Sequence, residues 1–234
     1  MPQCFFIDAS DSDLQLLPED KTHHIVNVLR MKPGETVLLH DGQNRRALAT
    51  LELLGKKRVS ARLTSAWEPV STEPELRVRV FQAFPKTGDK VEQVLQHGTE
   101  LGAAGFVLFP SERAQARMED RERIARKVER WEELIRNAAE QSGRGILPSI
   151  TYVRSLEDAL ALAKGPLVLL DEGTSNPSLS GAGGQELGIF VGSESGFTAQ
   201  EKKAILGAGA TAASLGPRTL RTETAALAAL AKLL

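Results

Sequence analysis

The chain has 234 residues, 41% hydrophobic and 25% charged, with 29 Lys+Arg against 30 Asp+Glu for a net charge of −1, and a single cysteine. These values fit an ordinary globular protein of one or two domains; they exclude a disordered or disulfide-stapled chain and a global positive field, so a nucleic-acid partner would have to be held locally. No apolar run approaches the ~20 residues of a spanning helix, and the start MPQCFFIDAS lacks the basic and apolar regions of a signal peptide, so a cytoplasmic protein with no membrane partner is expected.

In chain order, short apolar runs at Cys4 to Ile7, Thr36 to His40, Ala47 to Leu54 and Arg58 to Leu63 are separated by turn signals such as Lys32-Pro33-Gly34 and Asp41-Gly42. They predict a small β-barrel or sandwich over residues 1–70. Cys4 reads as an apolar group in its first strand. One helix interrupts it at Lys21 to Leu29, where Ile25, Val28 and Leu29 form an apolar face. Arg45, Arg46, Lys56, Lys57, Arg58 and Arg62 form a basic cluster that suits either phosphate contacts or hairpin solubility. The polar stretch Trp67 to Pro74 carries two prolines and predicts a linker.

Beyond it, strand-like runs (Leu76 to Ala83, Phe106 to Phe109, Leu167 to Leu170, Leu187 to Val191, Ala212 to Leu215) alternate with helical ones. The helices are expected at Asp89 to Leu101, Arg121 to Ser142, Leu156 to Ala163, Ala199 to Leu206 and Glu223 to Leu233. Such alternation predicts an α/β domain over 74–234, a parallel sheet covered on both faces. Ligands of these sheets bind outside the carboxyl ends of the strands.

Two loops stand at such ends. Gly192-Ser193-Glu194-Ser195-Gly196 follows a strand and precedes a helix opened by Thr198, whose capping box is completed by Glu201. Gly216-Pro217-Arg218 leads to Thr222, a candidate cap for the last helix, and Glu223, suited to its positive end. Each loop reads either as a plain turn or as a ligand cradle. Arg218 and Arg221 favour the cradle, because arginines at a ligand edge suit anions and planar groups. Gly207-Ala208-Gly209-Ala210-Thr211-Ala212 mimics a dinucleotide fingerprint, but it follows a helix and precedes a strand; a helix C-cap and tight turn are expected instead. Gln141, Ser142 and Arg144 close the long charged helix, where side chains can face a cleft. The four histidines show no ligand spacing, so no metal is expected, and no nucleophile elbow or triphosphate-binding loop occurs.

Leu215 to Ala225 (LGPRTLRTETA), Glu140-Gln141-Ser142-Gly143-Arg144, Thr99-Glu100-Leu101-Gly102, Ser111-Glu112-Arg113 and His23-His24 to Val28-Leu29-Arg30 stand in the order found in the ribosomal RNA small-subunit methyltransferase E family. Over nearly its whole length the sequence resembles that family, and the first motif is the specific one. The family's glycine-proline-glutamate-glycine-glycine loop is Gly192-Ser193-Glu194-Ser195-Gly196 here, and the lysine and alanine usual before Thr99 are His97 and Gly98. The resemblance implies a SPOUT-type α/β domain with a trefoil knot within about 167–234, preceded by a PUA-like β-barrel that helps hold RNA. It implies a homodimer that methylates N3 of uracil-1498 in 16S ribosomal RNA, in the 30S subunit, with S-adenosylmethionine as donor. The cofactor would lie against Leu170, Gly192, Glu194, Gly196, Leu215, Gly216, Leu220, Arg221 and Thr222. A flipped uridine would face Arg113, Gln141, Ser142 and Arg144, with Arg30, Arg45 and Lys57 on the RNA. Arg144, Arg218 and Glu223 would be the residues nearest the chemistry. A methyltransferase of the same fold on another RNA, or an RNA-binding protein without activity, are the alternatives.

Overall fold

A computed structural model describes the chain apart from residues 1, 55–57, 86–87, 114–119, 177–178 and 180–184. The chain divides into two compact units: Met1–Glu73 with Ala139–Leu147, and Pro74–Ala138 with Pro148–Leu234.

The first unit holds β1 (Gln3–Phe6), β2 (Leu14–Leu16), α1 (Glu19–His23) continued by a π-helical turn (His24–Val28), β3 (Thr36–His40), β4 (Arg45–Leu54), β5 (Val59–Leu63) and β6 (Glu68–Pro69). Its sheet runs β1-β3-β4-β5-β2, antiparallel except for the parallel β1–β3 pair, with β6 on the start of β4. Inward residues alternate along the strands, as period-2 patterning demands: Val37 and Leu39, Ala49 and Leu51, and Val59 and Ala61 pack with Phe5, Leu17 and Ile25. The predicted linker is therefore partly sheet. Glu68 and Pro69 pair with Arg46 and Arg45, and Val70, buried, donates its N–H to Asn44.

The segment 139–147, expected in the second unit, belongs to the first because its polar groups are satisfied there. Glu140 accepts from the Phe6 N–H at 3.2 Å and from Lys21 Nζ at 3.0 Å. The Arg144 carbonyl lies 2.7 Å from His40 Nδ1, and the Gly145 carbonyl accepts from the Asn44 N–H. Gly145 must be glycine, since a Cβ would lie 2.7 Å from that of Val70.

The second unit holds β7 (Arg77–Ala83), α2 (Gly88–Glu100), β8 (Gly105–Phe109), most of α3 (Arg121–Ser142), β9 (Ser149–Tyr152), α4 (Leu156–Ala161), β10 (Leu167–Leu170), β11 (Glu186–Val191), α5 (Ala199–Gly207), β12 (Ala210–Ala213) and α6 (Thr222–Leu233). The sheet is parallel throughout, in the order β12-β10-β11-β7-β8-β9. Alternate residues feed two cores. Val78, Val80, Leu108, Ile189 and Val191 meet α2, α3 and α6 through Leu95, Trp131 and Leu230. Phe81, Val107, Leu169 and Phe190 meet α4 and α5 through Ala159 and Ile205. Each apolar run is thus buried on both faces, as a sheet covered by helices requires. The short β9 escapes the sequence pattern because its burial alternates weakly. Among the described residues, no helix is long and apolar enough to cross a membrane.

Candidate active site

At the carboxyl ends of β10, β11 and β12, all within the second unit, the loops enclose a pocket of about 680 Å³. It falls in the range of small-molecule sites and at the edge where parallel sheets bind ligands. Glycines 192, 196 and 216 are among its lining residues. Gly216 has φ +124° and Gly196 φ +64°, the left-handed region that glycine tolerates at no steric cost. At Gly192 an added Cβ would lie 3.0 Å from the Gly196 Cα, so the two ends of that loop approach closely because Gly192 carries no side chain.

The three loops are tied from below. Asp171 N–H donates to the Ala213 carbonyl, Ser214 N–H to the Asn176 carbonyl, and Asn176 Nδ2 to the Ala212 carbonyl, which joins the β10 and β12 loops. Gln82, wholly buried at the end of β7, donates to Thr222 Oγ1 at 2.8 Å, and Thr222 donates on to the Gly192 carbonyl. Thr222 is therefore not the expected cap. Arg221 occupies that position without a side-chain capping bond, since a guanidinium has no acceptor to offer, and the Thr222 hydroxyl is engaged by the glycine loop. The capping box at Thr198 and Glu201 is formed; Glu201 also accepts from the Glu112 N–H, which draws the Ser111-Glu112-Arg113 strand end to the pocket. Gly207 ends α5, and Gly209, φ +93°, makes the turn into β12, as expected of that glycine run.

Charged side chains stand on this frame. Lys202 donates to Asp171 at 2.7 Å; burial alone would raise the Asp171 carboxyl, but Lys202 and the Gly173 N–H hold it below the usual value. Lys90 Nζ donates to Glu194 at 2.9 Å, Thr219 bridges to Glu172 at 3.1 Å, and Arg113 donates to the Ser195 carbonyl at 3.0 Å. Arg218 and Arg221 line the pocket and are exposed.

All nine residues expected around a cofactor, Leu170, Gly192, Glu194, Gly196, Leu215, Gly216, Leu220, Arg221 and Thr222, line this pocket, joined by Arg113 and Arg218. Glu223 does not line it: the carboxylate lies beneath, largely buried, 3.8 Å from Lys90. Arg144 is not on it either. Its guanidinium is buried in the first unit and forms a two-point pair with Glu73, Nη2 at 2.6 Å and Nε at 3.2 Å. Burial would raise the Glu73 carboxyl; Arg144 and the N–H groups of Gly145 and Ile146 hold it below its ordinary value. Gln141 and Ser142 lie in the same segment, with Gln141 exposed. Arg30 is exposed with φ +53°, and Arg45 pairs with Asp41 at 2.6 Å beside the Trp67 ring. Lys57 falls outside the described residues.

Sequence reasoning missed Gln82, Lys90, the run Asp171-Glu172-Gly173 and Lys202. Gln82 could have been found as a polar interruption of an otherwise apolar strand end, and Asp171 to Gly173 as the residues directly after a buried strand.

Residues 72–234 match the model of an RNA methyltransferase domain, and 17–64 that of an RNA methyltransferase PUA domain. A Bacillus subtilis protein named ribosomal RNA small subunit methyltransferase E is 32% identical, covering 97% of this chain and 94% of its own. Its namesake from Mycobacterium bovis is 32% identical over 97% and 88%. Among solved structures, a ribosomal RNA small subunit methyltransferase E from Neisseria gonorrhoeae bound to S-adenosyl methionine is similar with a TM-score of 0.88 and 30% identity, covering 100% of this chain and 97% of its own. A Legionella pneumophila structure described as a methyltransferase with bound cofactor SAM gives 0.91 and 30% over the same shares.

Proposed function

The chain belongs to the RNA methyltransferase family that includes the ribosomal RNA small subunit methyltransferases E, and from that premise we propose that it methylates N3 of a specific uridine, uracil-1498, in 16S ribosomal RNA of the 30S subunit. The observation that carries this reading is the glycine-lined pocket at the carboxyl ends of β10, β11 and β12, to which most of the LGPRTLRTETA motif contributes. Its walls suit S-adenosylmethionine: Leu170, Leu215 and Leu220 offer apolar surface for a base, glycines 192, 196 and 216 allow close backbone approach, and arginines and carboxylates together match a zwitterionic tail.

When bound, S-adenosylmethionine supplies an electrophilic methyl on a cationic sulfur. The chain's part is to orient and to stabilise charge. Alignment of two reactants is worth effective molarities of roughly 10⁵–10⁸ M. The Gln82–Thr222–Gly192 chain fixes the loop that orients the donor. Arg218, exposed on the rim, stabilises the negative charge on uracil as the N3 proton passes to solvent. Arg113, anchored on Ser195, faces the flipped base, whose extrusion costs a few kcal/mol. Arg221 contributes to donor binding, whereas Glu223, off the pocket wall, acts through Lys90. Arg144 holds the segment bearing Gln141 and Ser142, and Arg30, Arg45 and Lys57 contact RNA in the first unit. The reading includes a SPOUT trefoil knot within 167–234, a closed PUA-like barrel, a homodimer and a cytoplasmic location.

The test is a transfer assay with labelled S-adenosylmethionine and 30S subunits or free 16S RNA lacking the modification, followed by nucleoside mass spectrometry. 3-Methyluridine at one site is expected. Donor binding without transfer to either substrate would overturn the assignment of substrate.

A further inference from the structure

Lys90 lies at the centre of a three-charge array. Its Nζ is 2.9 Å from Glu194 Oε1 on the glycine loop and 3.8 Å from Glu223 Oε2 in the first turn of α6. Glu223 is 8% exposed, and its Oε2 has no hydrogen-bond partner among the described residues. Lys90 and Glu194 line the pocket; Glu223 stands behind them. One ammonium therefore faces two carboxylates, and the formal charges of these three groups sum to −1.

Burial makes this count matter. Partly desolvated charges are screened less by salt and solvent than surface pairs, so a unit change in the array is felt by a ligand in the pocket. S-adenosylmethionine and its product, S-adenosylhomocysteine, share every group except the sulfur centre, which is cationic in the donor and a neutral thioether in the product. They differ by one positive charge.

We propose that the Glu194–Lys90–Glu223 array tunes the discrimination between donor and product, with Lys90 as a positioning residue that holds Glu194 and limits the negative charge on that part of a wall that also carries Arg113, Lys202, Arg218 and Arg221. This rests on the pocket being the donor site. Lys90 keeps the donor preference moderate, and Glu223, without touching the ligand, raises it.

The test is calorimetric titration of the full-length wild type and variants with each of the two ligands, reading the ratio of their affinities. Lys90→Met takes the array from −1 to −2 and is expected to move the ratio toward S-adenosylmethionine by about threefold or more. Glu223→Gln takes it to zero and is expected to move the ratio by a similar factor toward S-adenosylhomocysteine, while Lys90→Arg leaves it in place. A general loosening of the loop would weaken both ligands alike; equal losses in Lys90→Met, or an unmoved ratio in Glu223→Gln, would overturn the proposal. If Lys90→Met does not fold, Glu223→Gln decides alone. Binding of neither ligand by the wild type would instead overturn the reading of the pocket as the donor site.

Discussion

Two parts of this chain gather charge in opposite ways. Around Glu73 the first unit closes a carboxylate with a buried arginine and two backbone N–H groups, leaving the guanidinium 5% exposed. Around Gly192 the second unit builds with backbone and glycines, and places Arg218 and Arg221 at a cavity rim. The first arrangement locks a segment in place; the second leaves cations available to a ligand. An arginine beside a glycine turn is thus ambiguous until its partner is known: Arg144 and Arg218 look alike in sequence and are opposites in structure.

The sharpest way to break this contrast is Glu73→Ala. It strands Arg144 as a buried unpaired charge, and a loss of about 3–5 kcal/mol is expected in chemical denaturation. Replacing both partners, Glu73→Leu with Arg144→Met, should recover only part of it, because the Gly145 and Ile146 N–H groups still lose their acceptor; no recovery would mean the pair is not the origin of the loss. On the other side, Gly192→Ala presses a Cβ against Gly196, so donor affinity measured by calorimetry should fall about tenfold or more, with a cost of roughly 1–3 kcal/mol in stability. Thr222→Val removes the hydroxyl between Gln82 and Gly192, and a stability loss of about 1–2 kcal/mol should accompany weaker donor binding.

The mildest probe is pH. His40 is wholly buried, edge-on to Phe6, with Nδ1 facing the Arg144 carbonyl and Nε2 without a partner among the described residues. Burial is the chief reason its pKa lies below the ordinary 6.5; Arg46 adds to this, while the Arg144 carbonyl, Asp41 and Glu73 oppose it. The unfolded chain takes up that proton first, so stability is full above pH 6.5 and is lost as pH falls through the folded value. Glu73, held below its ordinary 4.5, adds a second loss at lower pH, since its contribution is present above 4.5 and disappears as the carboxylate is protonated. Thermal melts across pH 7 to 4 should show a decline that is smaller in His40→Gln between pH 6.5 and 5; an identical decline would exclude His40 as its source.

The same contrast explains what could be read from the sequence. The pocket was legible because its residues follow buried strands directly, so a local pattern of strand, glycine and helix start places them on one edge. The array at Lys90 was not, since a lysine in the first turn of a helix looks solvated until Glu194 and Glu223, more than a hundred residues away, are folded beside it. Thr222 was legible as part of the site and misread as a cap, because a hydroxyl serves either role and only the nearby Gly192 carbonyl decides. Nor could sequence move 139–147 to the first unit: α3 shows one continuous helical pattern, and its last residues change neighbours through contacts with His40, Asn44 and Glu73 that no short window contains.

That change of neighbours sets an order of events during synthesis. Residues 1–73 leave the ribosome with His40, Asn44 and Glu73 still lacking the partners they acquire at 144–146. At about 5–20 residues per second those partners arrive roughly 4 to 15 s later, after much of the other unit's first half has been made. The N-terminal unit, although first in sequence, cannot finish folding until residue 147 has been made, and a fragment ending at residue 73 is an incomplete domain.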